Sequence, residues 1–230
     1  MNALELCAVS GTGREGETVC NLTARFAPGR FHLLRGPAGC GQDLLLRWLG
    51  LLDAPDAGEV VVQGSATRTL SEEARAELRT QRFGFVFAAP FLLSSFSVIE
   101  NVAMPLFKVS QVTPEEARRR TETLLAFVGL AEAAEFSVED LPPRAQYQVA
   151  VARGLVNQPS FLMVESLDGV LAGEDLHAFV ELLHQASERF GTTIIATASP
   201  ALPLLWPQRV LDIAEGAITG DVELLPETGL

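Results

Sequence analysis

Leu34-Arg35-Gly36-Pro37-Ala38-Gly39-Cys40-Gly41-Gln42-Asp43 carries the glycines of a phosphate-binding loop, but its two chemically essential positions hold other residues. In a loop of the form G-x-x-x-x-G-K-[ST], backbone N–H groups and a helix N-terminus cradle the phosphates. Lys reaches the β- and γ-oxygens, and the hydroxyl holds Mg²⁺. Here Gln42 stands in the Lys position and Asp43 in the hydroxyl position. Arg30-Phe31-His32-Leu33-Leu34 reads as a short buried strand entering the glycines, and Leu44-Leu45-Leu46-Arg47-Trp48-Leu49 as the opening of an apolar-faced helix. Glycine spacing alone proves little, because 19 Gly in 230 residues give about one or two such pairs by chance. An ordinary βα turn would look the same, so the rest of the chain decides.

Upstream, alternation at Leu4, Leu6 and Ala8, and again at Leu22, Ala24 and Phe26 after Val19, predicts antiparallel strands. Downstream, Glu59-Val60-Val61-Val62-Gln63-Gly64 predicts a further strand, so a β-rich part encloses the loop. Ser71 caps a helix, and residues 83–87 form the strand after it. Thr113-Pro114-Glu115-Glu116 reads as a capping box opening a helix that Gly129 ends. An acidic, Pro-containing loop fills 136–144, and helix is predicted over 145–156. Residues 161–164 and 192–197 read as buried strands flanking a helix over 174–190, and 209–219 as a closing hairpin. Strands alternating with helices predict an α/β fold: a mostly parallel sheet covered by helices, with an antiparallel β part and an inserted helical part at about 71–157 of a single domain spanning 1–230.

The net charge of −12 argues against a nucleic-acid partner and against an electrostatic grip on anionic lipid. Lys108, the only lysine, lies too far along to be a displaced loop Lys. Cys7, Cys20 and Cys40 fit neither a disulfide framework nor a zinc site, so a reducing cytoplasm is the default, and no signal peptide is apparent. Cys40 reads as a small loop filler or a reactive thiol. Uncharged stretches at 83–99 and 190–208 are broken by Gly and Pro, so direct membrane insertion is not expected; each reads as a buried strand followed by an apolar surface segment. His32, His177 and His184 have no metal-site spacing, and the charged run at 115–122 reads as a solvated face.

Several blocks, in order and nearly covering the chain, resemble the nucleotide-binding subunit of ABC transporters. They are Gly50-Leu51-Leu52-Asp53 through Ala57-Gly58-Glu59-Val60, Phe83-Gly84-Phe85-Val86-Phe87, Glu100-Asn101-Val102-Ala103-Met104-Pro105-Leu106, Val128-Gly129-Leu130, Val149-Ala150-Val151-Ala152-Arg153 and Gly191-Thr192-Thr193. The chain is most similar to the lipoprotein-release, macrolide-export and cell-division subgroup. The resemblance implies the ABC ATPase fold, ATP with Mg²⁺, a homodimer or a heterodimer with a second ABC subunit, and a transmembrane permease partner. It also implies a cytoplasmic location, peripheral at the inner face of the membrane. Pro90-Phe91-Leu92-Leu93-Ser94-Ser95-Phe96 matches the segment beside the permease-docking groove, which makes Phe91, Leu92, Leu93 and Phe96 docking candidates, with a buried core loop as the alternative.

The positions that carry the family's chemistry differ. Ala88 stands where a Gln senses Mg²⁺ and the γ-phosphate, and Leu141-Pro142-Pro143-Arg144-Ala145 where the signature L-S-G-G-Q is expected. Two prolines remove backbone donors there, and Arg144 is bulky where Gly permits close approach. Glu165 and Ser166 occupy the places of the Mg²⁺-binding Asp and the catalytic Glu. Ser199 matches the switch His, Ala172 the Asp of the following loop, and the stretch Ser10 to Glu17 offers no adenine-stacking aromatic. Ser166 is a poor base at neutral pH, although Glu165 could still reach a metal. Trading Lys for Gln and gaining Asp43 shifts the local charge by about two units, and a unit pair at ~4 Å is worth up to about 4 kcal/mol at an effective dielectric of roughly 20. No catalytic residue is therefore expected, and ATP and Mg²⁺ are expected to bind weakly at best. Three readings stand in order: an inert subunit docked on a permease, a genuine ATP-binding subunit using Glu165 and Asp43, and a soluble sensor with Cys40 as its redox handle.

Overall fold

The computed structural model describes residues 3–14, 16–108, 112–169, 171–202 and 207–224. Strands β1 (Leu4–Thr12) and β2 (Thr18–Phe26) pair antiparallel, with Leu4 opposite Phe26 and Leu6 opposite Ala24. The predicted inward phase holds through Leu6 and then slips. Ala8 adopts a φ of 50° and is exposed, and Val9 turns inward in its place. This bulge, matched by Asn21 at a φ of 49° in β2, corrects the simple alternation, because one extra residue moves every later side chain to the other face. With β4 (Ala57–Val62) and β5 (Ser65–Ala66) the sheet runs in the order β2-β1-β4-β5.

The second sheet contains β3 (Phe31–Arg35), β6 (Phe83–Val86), β7 (Phe161–Val164), β8 (Thr193–Ala198), β9 (Arg209–Ala214) and β10 (Ala217–Glu223), in the order β10-β9-β3-β8-β7-β6. Only the β9–β10 hairpin is antiparallel. Phe31, Leu33, Phe161, Leu162, Ile194 and Ile195 are fully buried, as a sheet covered on both faces requires. On one side, α1 (Gln42–Leu49) fills the space between the two sheets, with Trp48 only 2% exposed. The other side carries α3 (Val98–Ala103), α4 (Pro114–Phe127), α5 (Pro143–Leu155) and α6 (Gly173–Phe190). Helix α2 (Glu72–Arg82) leads into β6. A Cβ at Gly84 of β6 would lie 2.1 Å from the carbonyl oxygen of Gly154, so this glycine lets α5 reach the sheet.

Three local expectations are corrected. Helix α5 begins at Pro143, two residues before the predicted start, because Pro suits a first helical turn whose N–H groups are free in any case. Residues Val138–Asp140 form a 3₁₀ turn capped by Ser137 inside the segment expected to be loop. Only half of the Thr113 capping box forms: its hydroxyl accepts from the Glu116 N–H, but the Glu116 carboxylate turns to Arg119 and Arg120. A complete box sits instead at Ser97 and Glu100, opening α3.

His32 lies in the core, 1% exposed, with its Nε2–H donating to the Ala27 carbonyl at 2.9 Å and Nδ1 without a partner. Burial pushes its pKa down to about 4. The unfolded chain takes up this proton near 6.5 and the folded chain only near 4, so the stability present above pH 6.5 is lost as pH falls through that window, by about 3 kcal/mol. Urea unfolding of the native chain at pH 7 and pH 4 is expected to show this loss, and His32→Leu to flatten it. Equal slopes for both chains would contradict the assignment.

Candidate functional site

The loop forms as its glycines dictate. Gly39 and Gly41 adopt φ values of 76° and 103°, the Gly36 N–H donates to the Ala198 carbonyl at 3.1 Å, and the Leu45 N–H bonds back to Gly41 at 3.0 Å to start α1. No side chain caps this helix, so its first amides are left without a side-chain acceptor. Pro37, Ala38 and Gly39 are exposed, while Cys40, Gly41 and Gln42 are buried. A Cβ on Gly36 would lie 2.3 Å from both the Cys40 Sγ and the Ile213 carbonyl oxygen, so loop and β9 are in close contact here. Gln42 turns inward at 6% exposure. Its Oε1 contacts the Cys40 thiol at 2.6 Å, and its Nε2 donates to the Gly36 carbonyl at 3.4 Å. Arg35 takes no part, because its guanidinium makes two hydrogen bonds to Asp212, at 2.6 and 3.0 Å.

Beside the loop lies a cavity of about 410 Å³ whose lining includes Arg14, Glu17, Asp43, Arg47, Asp53 and Glu165. Both arginines are engaged by Asp53, Arg47 at 2.5 Å and Arg14 at 3.5 Å. Four carboxylates thus share the lining with two guanidiniums, both of which contact the same carboxylate. Burial pushes the Asp43 carboxyl above its ordinary range, against a hydrogen bond with Thr197, and the charges of Glu165 and Glu17 raise it further. The Asp43 Oδ1 is buried without a partner. Because the folded pKa lies above the unfolded one, ionised Asp43 costs stability that sets in as pH rises above about 4. Asp43→Asn is therefore expected to raise the urea midpoint at pH 7 and to have little effect near pH 4. An equal gain at both pH values would contradict this.

At the end of β7 the Glu165 carboxylate accepts from the Ala88 N–H at 3.2 Å, which ties together two positions singled out from sequence. Ser166, at a φ of 50°, is anchored by its N–H to the Thr197 hydroxyl at 2.9 Å. Ser199 donates its hydroxyl to Asp168, which also accepts the Ser199 N–H at 3.1 Å. Ala172 is the residue preceding α6. Of the signature-like residues, Leu141 and Ala145 are buried, and Pro142, Pro143 and Arg144 are exposed at the start of α5. Arg144 reaches Asp175 in the first turn of α6 at 3.4 Å. Among the described residues no group of three or more His, Cys, Asp and Glu is placed to hold a metal ion; Glu165 shares the cavity lining with Asp43.

The apolar segment after β6 is exposed at Phe91 (68%), Leu93 (40%) and Phe96 (40%), whereas Leu92 packs against the core. The buried-loop alternative therefore applies to Leu92 alone among the four. The backbone here is held firmly. Arg153 donates to the Pro90 and Phe91 carbonyls at 2.6 and 2.8 Å, and buried Asn101 bonds Leu93 in both directions and also reaches the Phe96 and Ser97 carbonyls. A cavity of about 340 Å³ adjoins the segment, lined by Phe85, Phe87, Met104, Pro105 and Lys108 among others, and Phe87 meets Phe91 edge to face at 5.8 Å.

Sequence reasoning did not single out Glu17, Asp168 or Thr197, which act on the singled-out positions across the fold, and it quoted Asp53 only within a block. Asn101 and Arg153 sat inside blocks quoted for their resemblance, and a polar residue within an apolar block was the available signal. Cys40 is 5% exposed, and burial together with the Asp43 charge pushes its thiol up. This removes the reactive-thiol expectation, since the thiolate is the nucleophile. The uncharged stretch 190–208 includes residues 203–206, which lie outside the described residues; before them, β8 is buried and Pro200 and Ala201 are exposed. Among the described residues no helix is long and apolar enough to cross a membrane.

A parallel sheet whose β3 runs through a glycine turn into the N-terminus of α1, with an antiparallel sheet alongside, defines an α/β protein of the P-loop nucleotide-binding class. A sequence model of the ABC transporter family matches residues 19–166, well over half the chain, which therefore belongs to that family as an ATP-binding cassette domain. The solved dimer of MJ0796, a bacterial ABC transporter cassette, is 26% identical with a TM-score of 0.84, over 96% of this chain and 99% of that one. A post-hydrolysis MJ0796 dimer bound to ADP and Pi is 25% identical with a TM-score of 0.83, over the same shares of the two chains. The cassette cbiO1 from Clostridium perfringens, part of the ABC transporter complex cbiONQ, shares the fold with a TM-score of 0.87 at 21% identity, over 97% of this chain and 89% of that one.

Proposed function

We propose that this chain is a cassette without ATP turnover, retained as a structural or regulatory subunit that docks on a transmembrane permease in an envelope transport complex. The observation that carries the reading is the make-up of the loop cavity. Gln42 is turned back onto the Gly36 carbonyl, and Asp43 brings a buried carboxylate next to Glu165 where a triphosphate needs cations. Both guanidiniums in the lining contact Asp53, Arg47 at 2.5 Å and the exposed Arg14 at 3.5 Å, and the four carboxylates outnumber them. These residues do not fit a magnesium triphosphate, since four negative charges meeting two engaged positive ones repel a polyanion. Proline and Arg144 in the signature-like turn, Ser166 beside Glu165 and Ser199 in the switch position extend the same pattern to the remaining sites of that chemistry. The blocks from Glu100 to Leu106 and from Val149 to Arg153 support the lipoprotein-release, macrolide-export and cell-division subgroup.

The docking surface is the rigid apolar segment with Phe91, Leu93 and Phe96, and the chain pairs either with itself or with a second ABC subunit, at the inner face of the membrane. Assembly with the permease is expected to be the same with Mg-ATP, with ADP and without nucleotide, measured by co-purification from detergent-solubilised membranes. A tenfold change on adding Mg-ATP would overturn the inert reading. One observation favours the nucleotide-coupled alternative: Gly39 and Gly41 keep the loop's positive-φ turns, so its backbone amides stay available to an anion. That alternative requires a turnover that Glu165→Ala abolishes.

A further inference from the structure

The glycine loop follows the C-terminal end of β3, whereas Thr192 and Gln158 precede the starts of β8 and β7 at the opposite edge of the parallel sheet. At that edge α4, the end of α5 and the last turn of α6 enclose a cavity of about 390 Å³, within the range of small-ligand sites. Its lining holds three arginines, Arg119, Arg120 and Arg189, and no carboxylate, on a chain whose net charge is −12. Leu124, Leu155 and Phe190 supply an apolar wall. The charged run of α4, expected to be a solvated face, is therefore solvated only in part: the Arg118 side chain is 76% exposed, but that of Arg120 is 24% and turned to the cavity.

The arginines keep unused capacity. Arg119 and Arg120 share the single carboxylate of Glu116, at 2.9 and 2.6 Å, and their hydrogen bonds hold it down to about 2, so it stays ionised and offsets one charge of the three. Arg189 makes no ion pair among the described residues. Its guanidinium lies over the rings of Phe127 and Phe190, at 5.4 and 5.7 Å, a cation–π contact that neutralises none of its charge. Two uncompensated positive charges thus border an apolar wall with an aromatic ring.

We propose that this cavity binds a small amphipathic anion, an aromatic or aliphatic body carrying one phosphate or carboxylate head. The head pairs with Arg189 and Arg120, whose planar forks suit two-oxygen acceptors, and the body rests on Leu124, Leu155 and Phe190. The site is separate from the glycine loop, so its occupancy does not depend on whether that loop binds nucleotide.

The test uses the full ¹⁵N-labelled chain titrated with phenyl phosphate and, separately, with benzoate and inorganic phosphate. Phenyl phosphate is expected to shift the Thr123, Gln158 and Thr192 amides saturably, with inorganic phosphate about tenfold weaker for want of the apolar body. Benzoate binding more tightly than phenyl phosphate assigns a carboxylate head, and weaker binding a phosphate head. Arg189→Glu and Arg120→Glu are each expected to weaken binding by about tenfold or more, while Arg68→Glu, in the turn after β5, leaves it unchanged. Arg189 is on the surface, so its variant reports on binding and not on folding. Absence of saturable shifts, shifts confined to Gly39 and Gly41, or undiminished binding by Arg189→Glu would each overturn the proposal.

Discussion

The double substitution Gln42→Lys, Asp43→Ser is expected to raise Mg-ATP affinity by at least about a hundredfold over the native chain. It replaces a neutral side chain with a cation and removes a carboxylate, a change of about two charges within ~4 Å of the phosphates. Even two-thirds of the roughly 4 kcal/mol available to one such pair gives two orders of magnitude. The backbone needs no rebuilding, because Gly39 and Gly41 already hold their turns and the first amides of α1 are uncapped. Gln42 loses only a 3.4 Å bond to the Gly36 carbonyl and its Cys40 contact, and removing the raised Asp43 carboxyl also relieves its repulsion with Glu165 and Glu17. Turnover is expected to stay undetectable in this variant, because Ser166, Ser199 and the Pro142-Pro143 turn are untouched. Calorimetry and a phosphate-release assay on the two proteins check both parts. Unchanged affinity would place the block elsewhere in the cavity.

The second large effect is expected at the apolar segment. Phe91→Asp with Phe96→Asp should reduce association with the permease complex by at least a hundredfold, since each Phe buried at an interface is worth about 1.5–3 kcal/mol and each new carboxylate adds a desolvation cost. Folding should be unaffected. Phe91 is 68% exposed, and its φ of 45° suits Asp better than Phe, so that substitution relieves backbone strain. The Arg153 and Asn101 bonds to this segment run to backbone groups and survive the change. Val222→Asp, at a 46% exposed position on β10, serves as the control that leaves assembly intact. Co-purification of the double variant at native yield would remove the docking reading.

The strand-loop-helix order around the glycines was legible because each part has a local signal: buried apolar runs for β3 and β8, helical spacing for α1, and Pro with Gly marking the ends of α4. Harder to read was anything set by partners distant in sequence. The bulges at Ala8 and Asn21 break a two-residue period that looks regular in the chain alone. The Thr113 box failed because two arginines one turn on compete for Glu116 more strongly than a backbone N–H does. In the loop, the identities of Gln42 and Asp43 announced an altered site, yet their partners did not follow. Arg35 is claimed by Asp212 from β9 and Arg47 by Asp53 from the turn after α1, and neither pairing has a local signature. The Arg120–Arg189 cavity was likewise hidden, because it joins two helices some 70 residues apart in the sequence.

Isothermal titration of the purified native chain with Mg-ATP separates an inert cassette from a working one. No binding heat is expected up to millimolar nucleotide, because four carboxylates and only two arginines line the cavity. Micromolar binding, accompanied by a turnover that Glu165→Ala abolishes, would contradict it and make the chain a working ATP-coupled subunit.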